Sequence, residues 1–174
     1  MQFYKQIDVF TQEQCADILE ACSEWKEGWC EKFNWVFRSD QSTHYYSDWA
    51  WNCVKRHMTA TKVYPVDWVY NNFRILKFTP GTSYSWHCDV IPKQRISNRS
   101  RNMIVVLKKG ISAVIETEQG IFDLAQGKGI QFPIQDYYQI IGPHVTREKD
   151  NDFVVLNGWG MQRLSDVTYN QNFN

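Results

Sequence analysis

The run Phe73-Arg74-Ile75-Leu76-Lys77-Phe78-Thr79-Pro80-Gly81-Thr82-Ser83-Tyr84-Ser85-Trp86-His87-Cys88-Asp89 holds two strand-like segments on either side of a proline–glycine turn. Proline presets the first turn dihedral and glycine accepts a positive φ, so Pro80-Gly81 reverses the chain. The flanks, rich in aromatic and branched side chains, predict strands at Tyr70–Phe78 and Ser83–Asp89. Downstream the same pattern repeats at Asn102–Leu107, Ser112–Glu116, Gly120–Leu124, Gly129–Phe132, Gln139–Ile141 extending to His144, and Phe153–Trp159. Lys109-Gly110, Gln119-Gly120 and Gly127-Lys128-Gly129 supply turns between them.

Upstream the period changes. Thr11-Gln12-Glu13-Gln14 has the form of a capping box. Cys15, Ile18, Leu19 and Cys22 follow at helical spacing, predicting a helix to about Trp25. Residues 25–68 are crowded with aromatics, and Asp48–Thr59 is a second helix candidate. The expected fold is mostly β: a double-stranded β-helix, or cupin-like jelly roll, with N-terminal helices packed outside. No repeat or linker breaks the chain. One domain over 1–174 is expected, with a helical part at about 1–69 and a jelly-roll core at about 70–160.

Nineteen basic residues balance nineteen acidic ones in this 174-residue chain. Nucleic acid is therefore not an expected partner, since its binding draws on a strong positive field. Five cysteines, an odd number without a C-x-x-C pair, argue against a disulfide framework or zinc ribbon. Reduced thiols, the lack of a signal-peptide pattern and the lack of a membrane-length apolar stretch predict a cytoplasmic protein without membrane association.

His87-Cys88-Asp89 carries the chemistry. Residues two apart on a strand project to the same face, so His87 and Asp89 form one side of a candidate metal site. Cys88 then faces away, into packing. His144, from a distant strand, is the candidate third ligand. Two imidazoles and one carboxylate with open positions describe a non-haem Fe(II) centre. With four histidines and nineteen acids, roughly 0.4 His-x-Asp/Glu matches arise by chance, so context has to decide. Each histidine also has an ordinary alternative: His87 hydrogen-bonded at a core edge, and His144 capping a turn after Pro143.

The segments Phe73–Gly81, Ser83–Asp89, Gly127–Pro133, His144 and Phe153–Trp159 together resemble the Fe(II)/2-oxoglutarate-dependent oxygenases of the prolyl-4-hydroxylase-like and aspartyl-hydroxylase-like groups. Val9-Phe10-Thr11-Gln12-Glu13-Gln14-Cys15 is similar to the helix start common there. The resemblance implies Fe(II) on His87, Asp89 and His144, with 2-oxoglutarate as cosubstrate, O2 as oxidant and ascorbate as a supporting reductant. It implies hydroxylation of a peptide side chain, an amino acid or a small metabolite.

One departure stands out. The family places Arg or Lys about ten residues after the distal histidine, to bind the far carboxylate of 2-oxoglutarate. Here the region reads Asp150-Asn151-Asp152-Phe153, and an inward Asp152 would repel that carboxylate. Arg101 is the first substitute, with Arg147 and Arg74 next, because a planar fork suits a carboxylate. Arg101 also fits a plain solvated basic loop with Lys93, Arg95 and Arg99. Phe78 stands where many relatives carry a cosubstrate-binding tyrosine, and Tyr84 is a substitute for that role or a packing residue. The polar stretch Ile91–Ser100 follows the metal acid and is a candidate substrate-facing loop. Three function classes stay open: a 2-oxoglutarate-dependent hydroxylase, a cupin-like metalloprotein with another cosubstrate, and a non-catalytic jelly-roll binding module.

Overall fold

Strand β7 (Ser100–Lys108) fixes the layering, because both of its faces are buried. Its inner residues Ile104 and Val106 and its outer residues Met103, Val105 and Leu107 are all 0% exposed. A continuous apolar run of this kind needs cover on both sides. The computed structural model describes residues 4–22, 25–27, 39–40, 43–45, 53–54, 56–57, 68–89, 100–145, 147 and 150–162. Along the chain these form β1 (Lys5–Asp8), α1 (Gln12–Ala21), β2 (Lys26–Glu27), β3 (Ser39–Asp40), β4 (Thr43–Tyr45), β5 (Trp68–Phe78), β6 (Ser83–His87), β7, β8 (Val114–Thr117), β9 (Gly120–Phe122), β10 (Lys128–Pro133), β11 (Tyr138–Ile141) and β12 (Phe153–Gln162).

They pair antiparallel into a seven-stranded sheet, β1-β10-β7-β12-β5-β4-β2, and a five-stranded sheet, β3-β6-β11-β8-β9. The inner faces of the two sheets meet through Leu76, Phe78, Ile104, Val106, Ile115, Phe132, Tyr138, Ile140, Phe153 and Val155. That is the expected mostly-β jelly roll. On the outer face of the larger sheet, Met103, Val105, Leu107, Val154 and Leu156 pack against Cys15, Ile18 and Ala21 of α1 and its C-cap Cys22. Ile18 is 0% exposed, a burial that contributes about 2 kcal/mol.

The capping box forms as read: Thr11 Oγ1 accepts from the Gln14 amide at 3.2 Å, and Gln14 Oε1 accepts from the Thr11 amide at 3.0 Å. The helix ends at Ala21, short of the expected Trp25. Of the second helix, only 53–54 and 56–57 are described, and they are helical. The rest of Asp48–Thr59 and the loop 91–99 lie outside the described residues. The N-terminal third is not purely helical, since β1 pairs with β10 and β4 pairs with β5. In β1 only Ile7 is buried, which left too little periodicity to recognise. No helix among the described residues is long and apolar enough to cross a membrane.

Gly127 joins the chain entering α1 to the sheet. Its carbonyl accepts from the Val9 and Phe10 amides at 2.9 and 3.1 Å, and its own amide donates to Val106 O at 2.7 Å. A Cβ there would stand 2.0 Å from Phe10 O, at a φ of +81°. Gly120 has φ +132° with nothing within 4 Å of an added Cβ. Gly120→Ala should therefore carry backbone strain alone, roughly 1–2 kcal/mol. Gly127→Ala should lose at least about twice that, because the backbone must also move. Urea unfolding of the two variants measures the difference, and equal losses would contradict the close approach.

Burial raises the Cys15 thiol to about 11 and the Cys22 thiol to about 12, with Cys53 adding to the latter. These values lie above the 9.0 of an unperturbed thiol. The neutral thiols thus stabilise the fold fully below pH 9, and that contribution is lost as pH rises toward 12. At neutral pH a thiol reagent should modify half-buried Cys88 before Cys15 or Cys22, which should react only on unfolding. Rapid labelling of Cys15 in the folded protein would show that α1 does not seal it.

Candidate functional site

His87 closes β6, and the antiparallel register sets what stands beside it. Tyr138 pairs with His87 and Ile141 pairs with Ser83, so β11 starts where β6 ends. Directly opposed side chains share a face. The Tyr138 ring packs on the His87 imidazole at 4.4 Å between centroids, and Tyr84 lies on the same imidazole at 4.1 Å. His87 is held between two tyrosines.

The imidazole is further oriented by its own strand. His87 Nδ1 lies 2.6 Å from the Ser85 carbonyl oxygen, which can only accept, so Nδ1 carries the proton. Nε2 then faces Asp89 Oδ1 at 3.6 Å. This part of the expected geometry is present: His87 and Asp89 converge at one end of the barrel.

Asp89 is only 8% exposed, and its carboxylate is met by donors from two strands, β7 and β11. Tyr138 Oη donates to Asp89 Oδ2 at 2.9 Å, and Asn102 Nδ2 donates to the same oxygen. Asn157 Nδ2 donates to Tyr138 Oη and to Asn102 Oδ1, each at 3.3 Å. Asp89, Tyr138, Asn157 and Asn102 thus form a closed ring of hydrogen bonds between the sheets. Burial first, then the charge of Asp89, holds the Tyr138 phenol well above the usual tyrosine range. It stays a neutral donor.

His144 is not part of this cluster, which corrects the expected third ligand. After β11 the Gly142 amide donates to Thr82 O at 3.0 Å, and the Gly81 amide donates to Pro143 O at 2.8 Å. These bonds hold the segment on the Pro80-Gly81 turn, at the opposite end of β6 from His87. The length of β6 alone separates the two ends by about 13 Å at the usual rise per residue, and His144 is exposed. Among the described residues, no three His, Cys, Asp or Glu side chains converge to hold a metal ion. The two-imidazole, one-carboxylate set therefore does not fit this site.

The candidate cosubstrate residues divide by strand alternation. Arg101 alternates with Asn102 and so projects with Met103 to the helix-side face, away from the site. Arg147 is exposed, in the segment beyond Pro143. Arg74 alternates with Ile75, lies on the inner face with Leu76 and Phe78, and pairs in register with Asn157. It is the one candidate arginine brought to the cluster. Tyr84 is buried against His87, and Phe78 is a core residue tilted on Phe153 at 6.3 Å. Asp152 does not face inward; it meets Lys77 at 3.5 Å. An open groove of ≈ 440 Å³ beside β1, lined by Lys5, Asp8, Asp123 and Lys128 among others, is separate from all of these.

Tyr138, Asn102 and Asn157 are the site residues that sequence reasoning missed. Asn102 and Asn157 carry a readable signal: each is an amide inside an otherwise apolar strand, where a buried polar group demands a partner.

No protein-family model and no curated protein matches the chain. Solved structures do. A viral collagen prolyl hydroxylase from Paramecium bursaria Chlorella virus-1, in complex with 2OG, superposes with a TM-score of 0.58 at 11% identity, covering 91% of this chain and 95% of that one. A 2OG-Fe(II) oxygenase family oxidoreductase from Burkholderia pseudomallei gives 0.57 at 8% identity, covering 91% and 85%. A Pseudomonas putida prolyl-4-hydroxylase gives 0.53 at 12% identity, covering 94% of each chain. At such identities the likeness establishes the fold: this chain has the architecture of the 2-oxoglutarate oxygenases.

Removing the Tyr138 hydroxyl leaves a buried carboxylate with one donor fewer. Tyr138→Phe should cost about 1.5–3 kcal/mol, the range for a hydrogen bond to a charged group. Urea denaturation of the variant measures this, and a loss below about 0.5 kcal/mol would mean the ring does not form in solution.

Proposed function

We propose that the end of the barrel around His87, Asp89 and Tyr138 is a binding site for a small polar molecule or a peptide side chain, on an oxygenase fold whose iron centre has been closed. The observation that carries this is the hydrogen-bond ring. A buried carboxylate must find a cation or several donors, and here Tyr138 and Asn102 satisfy it where iron would. His87 and Tyr84 of the smaller sheet offer a basic and an aromatic contact, and Arg74 on the inner face of the larger sheet a cationic one, which suits a ligand with both polar and planar groups. The even balance of charge speaks for such a ligand over nucleic acid.

A second function is favoured by one specific observation. The His87 tautomer leaves Nε2 turned toward Asp89, the orientation of a metal-ligating imidazole whose other nitrogen is tied to a carbonyl. Under that function the chain is an Fe(II)- and 2-oxoglutarate-dependent hydroxylase of a peptide side chain, amino acid or metabolite, supported by ascorbate. His87 and Asp89 would hold the ion, and Arg74 would receive the far carboxylate of the cosubstrate. The ion and its cosubstrate would supply the oxidising chemistry. Two protein ligands are one short of the facial set, so this function ranks second.

Anaerobic titration with Fe(II) and 2-oxoglutarate separates the two. The binding protein should give no visible charge-transfer band and, once air is admitted with ascorbate, no succinate. A thermal-shift screen of small polar molecules and short peptides should give hits that vanish in His87→Ala. Stoichiometric band formation with succinate release would establish the hydroxylase instead, and a screen whose hits ignore His87→Ala would remove the ligand from this site.

A further inference from the structure

We infer that Tyr138 stands at the third-ligand position of a latent metal centre and closes it, so that the exchange Tyr138→His opens a site of two imidazoles and one carboxylate. The inference goes beyond ligand binding by the native site; it rests on that proposal only in taking the native cluster as metal-free.

Three observations place Tyr138 there. It is the residue directly opposite His87 on the neighbouring strand, the position from which a side chain shares the face of His87. Its ring packs on the imidazole at 4.4 Å. Its hydroxyl lies 2.9 Å from the carboxylate of Asp89. A side chain at 138 therefore already reaches both of the other candidate ligands, and only its chemistry is wrong. The phenol spends its hydroxyl as a donor to Asp89, whereas a ligand must offer a lone pair.

Side-chain length suits the exchange. A phenol carries its oxygen further from Cβ than an imidazole carries its nitrogen, by about one metal–nitrogen bond, ~2 Å. Replacing tyrosine by histidine thus vacates roughly the volume an ion would fill, without moving β11. The surrounding groups support such an ion. Ser85 O already fixes the His87 tautomer, and Asn102 still donates to Asp89 Oδ2, leaving Oδ1 facing His87 Nε2. Outer partners of this type orient metal ligands.

Cobalt(II) is the probe, read by calorimetry and by its visible absorption under argon, on the wild-type chain, Tyr138→His, Tyr138→Phe and the double variant Tyr138→His/His87→Ala. Tyr138→His should bind cobalt roughly tenfold or more tighter than wild type or Tyr138→Phe, and the double variant should lose the gain. Because a ligand of the folded state stabilises it, the melting temperature of Tyr138→His should rise with cobalt even if the metal-free variant is poorly folded. A Tyr138→His chain that neither binds cobalt more tightly nor gains melting temperature with it overturns the inference, and leaves the binding-site proposal standing. A gain that survives His87→Ala also overturns it, by placing the ion elsewhere. Tight cobalt binding by the wild-type chain, lost in Tyr138→Phe, would make the phenol itself a ligand and would overturn both.

Discussion

The carboxylate of Asp89 is a negative charge placed between two sheets, and the arrangement around it answers that one demand. Burying an ionised carboxylate without a cation or donors is prohibitive. The His87 imidazole places Nε2 at 3.6 Å from Oδ1, beyond hydrogen-bond range. The donors come instead from Tyr138 on β11 and Asn102 on β7, with Asn157 on β12 closing the ring. These three strands belong to two different sheets, so the ring ties the jelly roll together across its core at the point where apolar packing gives out. Polar networks of this sort are worth having only when every member is satisfied, and here each is.

The same demand explains how the charged residues are distributed. Strand alternation lets one residue serve the site while its neighbour serves the helix layer. Asn102 enters the ring while Arg101 turns to the face of Met103 and Val105. Arg74 lies on the inner face while Lys77, three residues on, is turned out to pair with Asp152. The aspartate that reads in sequence as hostile to an anionic ligand is neutralised on the outside of the barrel.

Fold and site carry different messages. The architecture is that of the 2-oxoglutarate oxygenases, matched over nearly the whole chain by a viral prolyl hydroxylase and by bacterial relatives of that fold. A fold hosts many functions, and function is carried by the side chains grafted onto it. In this chain His87 and Asp89 lie together at one end of the barrel, and the strand beside them presents a phenol. That phenol and Asn102 satisfy the carboxylate without a cation.

The eight strands β5–β12, the Pro80-Gly81 turn, the capping box and the mostly-β architecture were legible in the amino-acid sequence because they rest on local rules. Turn chemistry, side-chain period and helix capping each act within a few residues. His87 and Asp89 were legible for the same reason, being two apart in the chain, although β6 ends at His87 and Asp89 follows it in a bend. The partner of His87 was not: the sequence ran that strand on to Asp89, and only the pairing ends β6 at His87 and sets Tyr138, the first residue of β11, opposite it. Strand β1 escaped notice because only Ile7 of its four residues is buried. By itself the sequence determined the layers and brought His87 and Asp89 to one end of the barrel. Only the tertiary structure decided which residue completes the site and which arginine lines it, because register between strands is set by pairing across the sheet, and a shift of one residue exchanges every inward side chain for an outward one.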